Sequence, residues 1–289
     1  MTKDELNFKQ ERDFGELFNA TFSFIGVEFK RLGTAVLFYV VPFLLAISIL
    51  GVFLGIRQQE TIHSLSTMDS PFSMFNSFGP YWAMSMLLAI IASTSMTCTI
   101  LGYIKLYVNK GRDNFTVKEV GNEVISNFFP VLGTSLLAGI IIGIGFIFCI
   151  IPGIYLGVSL SVLLPLIVIE GNSLGDAFSR SFKLVKPKFW MVLGALFIMI
   201  VLVYILSLFF SLPSIVMGMK HLFLNMKENQ NMNFDFGISY YIFNSLSSLL
   251  TYIVSAIPTV LIAFIYFSLV EYNEKPSLKS KIEQISADE

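Results

Sequence analysis

Two histidines, His63 and His221, are the first residues to weigh, since His is the most frequent general acid–base group and the commonest metal ligand. Both lie in polar stretches between apolar runs, with Glu60, Asp69 and Glu228 nearby in sequence. A paired-His metal site would require those stretches to meet in space, and solvated or interfacial loop histidines are the simpler reading. Methionines cluster in the same stretches: Met68, Met74, Met217, Met219, Met226 and Met232. Thioethers suit Cu(I), yet only Met217-Gly218-Met219 is tightly spaced, and Met and Phe here fit better as residues dipping into a membrane interface. The chain has no His-x-x-x-His, Cys-x-x-Cys, Walker-type phosphate loop or Gly-x-Ser-x-Gly nucleophile motif. Cys98 and Cys149 fall inside apolar runs and are expected to be buried free thiols. No catalytic residue, metal or cofactor is expected.

Two polar features remain. Ser85, Ser93, Thr94, Ser95, Thr97 and Thr99 form a hydroxyl strip within one apolar run. Ser93, Thr97 and Thr99 are the candidates for a polar path for a small neutral or lipidic solute. The competing reading is helix packing through small hydroxyl residues. Glu170 closes another apolar run just before a helix-cap sequence, where it serves local capping or acts as a functional acid.

The elements that must position these residues follow from composition. The 289 residues are 55% apolar and only 13% charged, about half the charge of an average soluble domain. The mean hydropathy is +0.73. A soluble globule and a disordered chain are excluded. The net charge of −1 argues against nucleic acid as a partner. Six apolar segments reach membrane-spanning character: Thr34–Ile56, Pro80–Ile104, Phe128–Ile151, Gly153–Ile169, Phe189–Leu212 and Ser248–Val270. None holds a charged residue or a histidine, which weakens a pump or ion-coupled transporter. Ile151-Pro152-Gly153 reads as the turn of a tight helical hairpin. Sixteen of the 19 Lys and Arg residues fall on one side of this layout and three on the other. By the positive-inside rule both termini are cytoplasmic, in a multi-pass protein of the bacterial cytoplasmic membrane. The mixed-charge start has no apolar signal segment.

Asp13-x-x-Glu16, Thr116-x-x-Glu119 and Ser173-x-x-Asp176 are capping-box-like helix starts. Apolar residues follow each at helical spacing: Phe14, Leu17, Phe18, Phe22, Ile25 and Phe29 in the first; Val117, Val120, Val124, Ile125 and Phe128 in the second; Leu174, Ala177, Phe178, Phe182, Val185 and Phe189 in the third. The third carries Asp176, Ser179, Arg180, Lys183 and Lys186 largely on the opposite face. Pro130 and Pro187 mark breaks into the following spans. The expected fold is all-α and polytopic, with six transmembrane helices as three hairpins, each preceded by a cytoplasmic interfacial amphipathic helix. It is read as one membrane domain over 1–289, with units 13–104, 116–169 and 173–270 and a cytoplasmic tail 271–289. The glycine pairs Gly139/Gly143 and Gly153/Gly157 are expected at close helix contacts. Arg180, Lys183 and Lys186, with Phe178 and Phe182, are the candidate lipid- or partner-facing residues. Membrane lipids are the expected partners, with a protein at the cytoplasmic face or a second copy of the chain as alternatives.

Ile151-Pro-Gly-Ile-Tyr-Leu, Pro165-Leu-Ile-Val-Ile-Glu-Gly and the stretch from Gly175 to Trp190 with its Arg-Ser-Phe-Lys-Leu core resemble the bacterial glycerophosphoryl diester phosphodiesterase membrane-domain family. The close match covers Ile151–Trp190 and the six-span layout extends it loosely. Relatives often carry a basic residue in the fourth span, where this chain has Ser159. The resemblance implies a membrane part only. The catalytic part of such enzymes is a separate barrel of about 250 residues, longer than any soluble segment here. The expected function is therefore non-enzymatic: organising lipid or scaffolding a partner at the cytoplasmic interface, with transport of a neutral or lipidic solute as the alternative.

Overall fold

A computed structural model of the chain describes residues 7–63, 71–228 and 238–275. Among these the secondary structure is helical, with no strand: α1 (Phe14–Tyr39), α2 (Val41–His63), α3 (Pro71–Lys110), α4 (Val117–Phe148), α5 (Ile150–Ser159), α6 (Leu163–Glu170), α7 (Leu174–Val185), α8 (Phe189–Glu228), α9 (Ile238–Val254) and α10 (Ala256–Glu274). Five described helices or merged helix runs are long and apolar enough to cross a membrane, or six if Phe14–Tyr39 and Val41–Ile56 count as one broken span. The protein is an all-α polytopic membrane protein.

All three capping sequences start helices. Glu16 accepts from the Asp13 amide at 3.1 Å at the head of α1. Thr116 accepts from the Glu119 amide at 3.4 Å at the head of α4. Ser173 accepts from the Asp176 amide at 3.4 Å and donates to the Asp176 carboxylate at 2.6 Å at the head of α7. Each supplies an acceptor for an amide that has no helical partner.

The helix breaks follow proline differently from the sequence expectation. Pro42, Pro152, Pro165 and Pro258 each sit at the second or third residue of a helix: α2, α5, α6 and α10. There the missing N–H is one the helix could not have used. The breaks therefore fall just upstream, at Val40, Cys149, residues 160–162 and Ser255. The hairpin turn is at Cys149, not at Pro152-Gly153. Pro130 lies inside α4 and does not interrupt it, while Pro187 does, through a 3₁₀ turn at Lys186–Lys188. The first expected span is split at Val40, and α1 runs unbroken from its cap to Tyr39.

The chain divides into two compact units. One comprises Met1–Tyr39, Thr94–Val201 and Ala256–Glu289, the other Val40–Ser93 and Leu202–Ser255. In the first, α1 buries Leu17, Ala20, Thr21, Phe24, Glu28, Leu32 and Ala35, while Phe14, Phe22 and Phe29 are exposed. α7 likewise buries Ala177, Ser181, Leu184 and Val185. Small and polar residues share the inward faces with Leu17, Phe24, Leu32 and Leu184, while other large apolar residues face outward, since lipid leaves close packing and polar pairing to hold helices together. Residues 7–12 run in front of α1. Phe8 stacks on Phe264 at 4.5 Å between ring centroids and meets Phe24, Tyr107 and Phe267 edge-on. The Arg12 amide donates to Ser268 at 3.0 Å, and its guanidinium donates to the carbonyls of Phe8 and Asn7 above the Phe264 ring. Burial lowers the Arg12 pKa, against the opposing field of Glu16.

The α4–α5 hairpin closes through glycine. A Cβ on Gly145 would stand 3.1 Å from the Gly153 Cα and 2.8 Å from Leu156, and one on Gly153 would strike the Phe146 ring at 2.5 Å. Gly139 and Gly143, expected at such contacts, have nothing within 4 Å, and Gly157 only just touches Ile142. Cys98 is buried as expected, but Cys149 at the turn is exposed. Gly145→Ala should lower stability by about 1–3 kcal/mol through overpacking, seen as a lower thermal midpoint in detergent. Gly143→Ala should leave that midpoint unchanged or slightly higher.

Candidate functional site

The polar residues of the first compact unit gather where α6, α7 and α10 meet. α6 ends in a Schellman-type turn: Gly171 takes φ +74, its amide donates to Ile167 and the Asn172 amide to Leu166. The turn is so short that the Ser173 cap follows at once. Glu170 is thereby brought to Arg180, just under two turns into α7. Arg180 bridges two carboxylates, Glu170 at 2.7 Å and Glu274 at 2.8 Å. The other Glu170 oxygen accepts from the Tyr266 hydroxyl at 2.5 Å, and Asn172 donates to Glu170 at 2.7 Å. Asn273 donates to the Leu184 carbonyl at 3.2 Å and ties α10 to α7. Between these helices lies an open hollow of about 430 Å³, lined by Asp176, Ser179, Arg180, Lys183, Leu184, Asn273 and Glu274.

A second cluster repeats the same chemistry. Glu28 of α1 is 1% exposed. One of its oxygens accepts from Tyr103 at 2.5 Å and the other pairs with Arg112 at 2.7 Å. In each cluster a tyrosine hydroxyl and an arginine hold a carboxylate, so the charge is neutralised and hydrogen-bonded where water is scarce. Sequence reasoning did not find this triad. Glu28 was passed over on a helix read for its Phe face. The available signal was its place on the line Leu17, Thr21, Phe24, Glu28, the face of α1 that is turned inward.

The candidate residues on α7 separate into distinct roles. Arg180 is half-buried and engaged by two acids, so it braces the bundle. Lys183 and Lys186 are exposed. Phe178 and Phe182 are half-exposed and pack on each other, with Phe182 also against Tyr155. The proposed hydroxyl strip is turned back on its own helix: Ser93 donates to the Ile90 carbonyl and Thr99 to that of Ser95, Thr99 is fully buried and Thr97 is half-buried.

The second compact unit holds a polar feature that the sequence reading missed. Ser245 donates to the Ser48 carbonyl at 3.1 Å. Ser48, Tyr241, Asn244, Ser245, Ser248 and Tyr252 are the polar lining of an uncharged hollow of about 110 Å³ between α2 and α9. The spacing 241, 245, 248, 252 is one helix face, a signal obscured because the stretch straddles the start of a presumed span.

Among the described residues no group of three or more His, Cys, Asp and Glu side chains could hold a metal ion. The side chains of His63 and His221, and residues Met68 and Met232, lie outside the described set. Glu28→Gln should destabilise the protein by about 3–5 kcal/mol, the cost of breaking a buried pair. Asp113→Ala, which removes an exposed partner of Arg31, should cost at most about 1 kcal/mol. Thermal midpoints of the two variants in one detergent check the contrast.

Comparison with known families matches residues 131–288, more than half of the chain, to the membrane domain of glycerophosphoryl diester phosphodiesterase. The match contains the α4–α5 turn with the second half of α4, the Glu170–Arg180–Tyr266 cluster and the hollow beside it. No curated protein and no solved structure matches. By this match the chain belongs to the family named for the membrane domain of glycerophosphoryl diester phosphodiesterase.

Proposed function

We propose that this is a non-enzymatic integral membrane protein whose rim on the cytoplasmic side holds phospholipid headgroups and so organises the surrounding lipid. The observation that carries this reading is the division of α7 into three faces. Ala177, Ser181, Leu184 and Val185 are packed inward. Phe178 and Phe182 are half-open on one flank and Lys183 and Lys186 exposed on the other. A helix so divided suits the plane of a bilayer interface, with rings among acyl chains and ammonium groups at phosphate level. Neither Lys183 nor Lys186 has a protein acceptor among the described residues, whereas Arg180 is occupied by Glu170 and Glu274. The hollow beside Lys183 offers room for part of a headgroup.

The test is co-purification in mild detergent followed by mass spectrometry of bound phospholipid. Lys183→Ala/Lys186→Ala should lose retained phospholipid while keeping the wild-type thermal midpoint. Arg180→Ala should instead lower that midpoint. Undiminished lipid retention by the double lysine variant sinks the reading.

A second reading has its own support. The uncharged polar hollow between α2 and α9 suits a small neutral solute better than Ser93, Thr97 and Thr99 do, since the Ser93 and Thr99 hydroxyls are satisfied within α3. In proteoliposomes any such flux should fall in Asn244→Ala and persist in Thr99→Val. The opposite pattern would return the path to α3.

A further inference from the structure

We infer that the α4–α5 hairpin is re-entrant: its tip is lodged among acyl chains near the middle of the bilayer and does not cross to the far side. The first observation is chemical. From residue 136 to residue 154 the only side chain with a heteroatom is the thiol of Cys149. The tip is nonetheless open, with Ile147 at 84%, Phe148 at 83% and Ile151 at 76% exposure. A connection emerging into water or headgroups would carry polar or interfacial anchoring residues.

The second is the backbone. Only Cys149 separates the two helices. Its amide donates to the Gly145 carbonyl at 3.0 Å and its carbonyl accepts from the Gly153 amide at 3.4 Å. Pro152 has no amide to satisfy. Two backbone groups are thus satisfied within the turn and a third donor is absent, which lowers the number of orphan groups that a hydrocarbon environment penalises.

The third is depth. Tyr155, six residues past the tip residue, packs its ring 6.1 Å from that of Phe182 and 5.5 Å from that of Phe189. Both partners lie beside Lys183, Lys186 and Lys188, which stay at the polar boundary. Six helical residues rise about 9 Å. Adding the reach of the packed rings puts the tip on the order of 15–20 Å below that boundary, well short of a hydrocarbon core about 30 Å thick. The arms then run obliquely, and removing this pair of crossings leaves the side on which every other segment emerges unchanged.

The test reads depth along α4. In full-length protein with Cys98→Ser and Cys149→Ser, single cysteines replace the exposed residues Phe129, Leu137, Ile140, Ile144 and Ile147, with native Cys149 as the last position. Each is spin-labelled in liposomes, and collisions with oxygen and with a water-soluble nickel chelate are compared. The oxygen-to-nickel ratio should rise without reversal from Phe129 to Cys149. A ratio that peaks near Leu137 or Ile140 and falls again at Ile147 and Cys149 means the hairpin crosses and overturns the inference. High nickel collision at Cys149 overturns it equally. The substituted positions are exposed apolar ones, so loss of fold does not obscure the profile.

Discussion

A carboxylate taken out of water needs partners, and the packed part of this molecule holds two that find them in the same way. Glu28 and Glu170 come from helices far apart in sequence, yet each accepts from a buried tyrosine hydroxyl and pairs with an arginine. Lipid supplies no force that drives apolar helices together. Specific polar contacts and close backbone approach therefore decide which helix packs on which. Tyr103 ties α3 to α1, Tyr266 ties α10 to α6, and Arg180 joins α6, α7 and α10. Phe24, Phe264 and Leu17 fill the packed interior around these pairs, while other large apolar residues, Phe22, Phe29 and Trp190 among them, face outward.

The same economy of polar groups explains the helix ends. Among the described helices five carry proline in their first three residues, and three begin with a capping side chain. In water a frayed terminus is solvated at little cost. Near hydrocarbon each orphan amide is expensive, so residues that lack an amide, or that offer it an acceptor, collect at the breaks. The glycine contact between Gly145 and Gly153 belongs to this pattern, since it brings two backbones together with no polar side chain between them.

Much of this was legible in the sequence. The apolar runs, the three caps and the polar face of α7 are local features, and they appear where spacing places them. The long-range contacts were not legible. Nothing local tells that Glu28 meets Arg112, 84 residues on, or that Glu170 meets Tyr266. The hairpin turn was misplaced because proline usually reads as a stop, whereas Pro152 is a helix-starting residue whose break lies upstream at Cys149. The ion pairs of Arg180 were not legible either, because a cation on a polar face looks free until its acidic partners on α6 and α10 are in view. The hollow lined by Tyr241, Asn244 and Tyr252 was missed because its face begins before the run counted as a span.

The placement of Phe8 also bears on how the chain is made. Its ring is enclosed by Phe24 of α1, Tyr107 of α3 and Phe264 and Phe267 of α10, and Arg12 is held by Ser268. Phe8 and Arg12 thus find their final seat only after α10 has been synthesised and inserted. Until then Phe8 and Arg12 wait at the membrane surface, and a nascent chain cut short before α10 exposes an aromatic and a cation together. That pairing marks a chain in which α10 is not yet in place, and it makes the docking of residues 8–12 on α10 a late step of assembly.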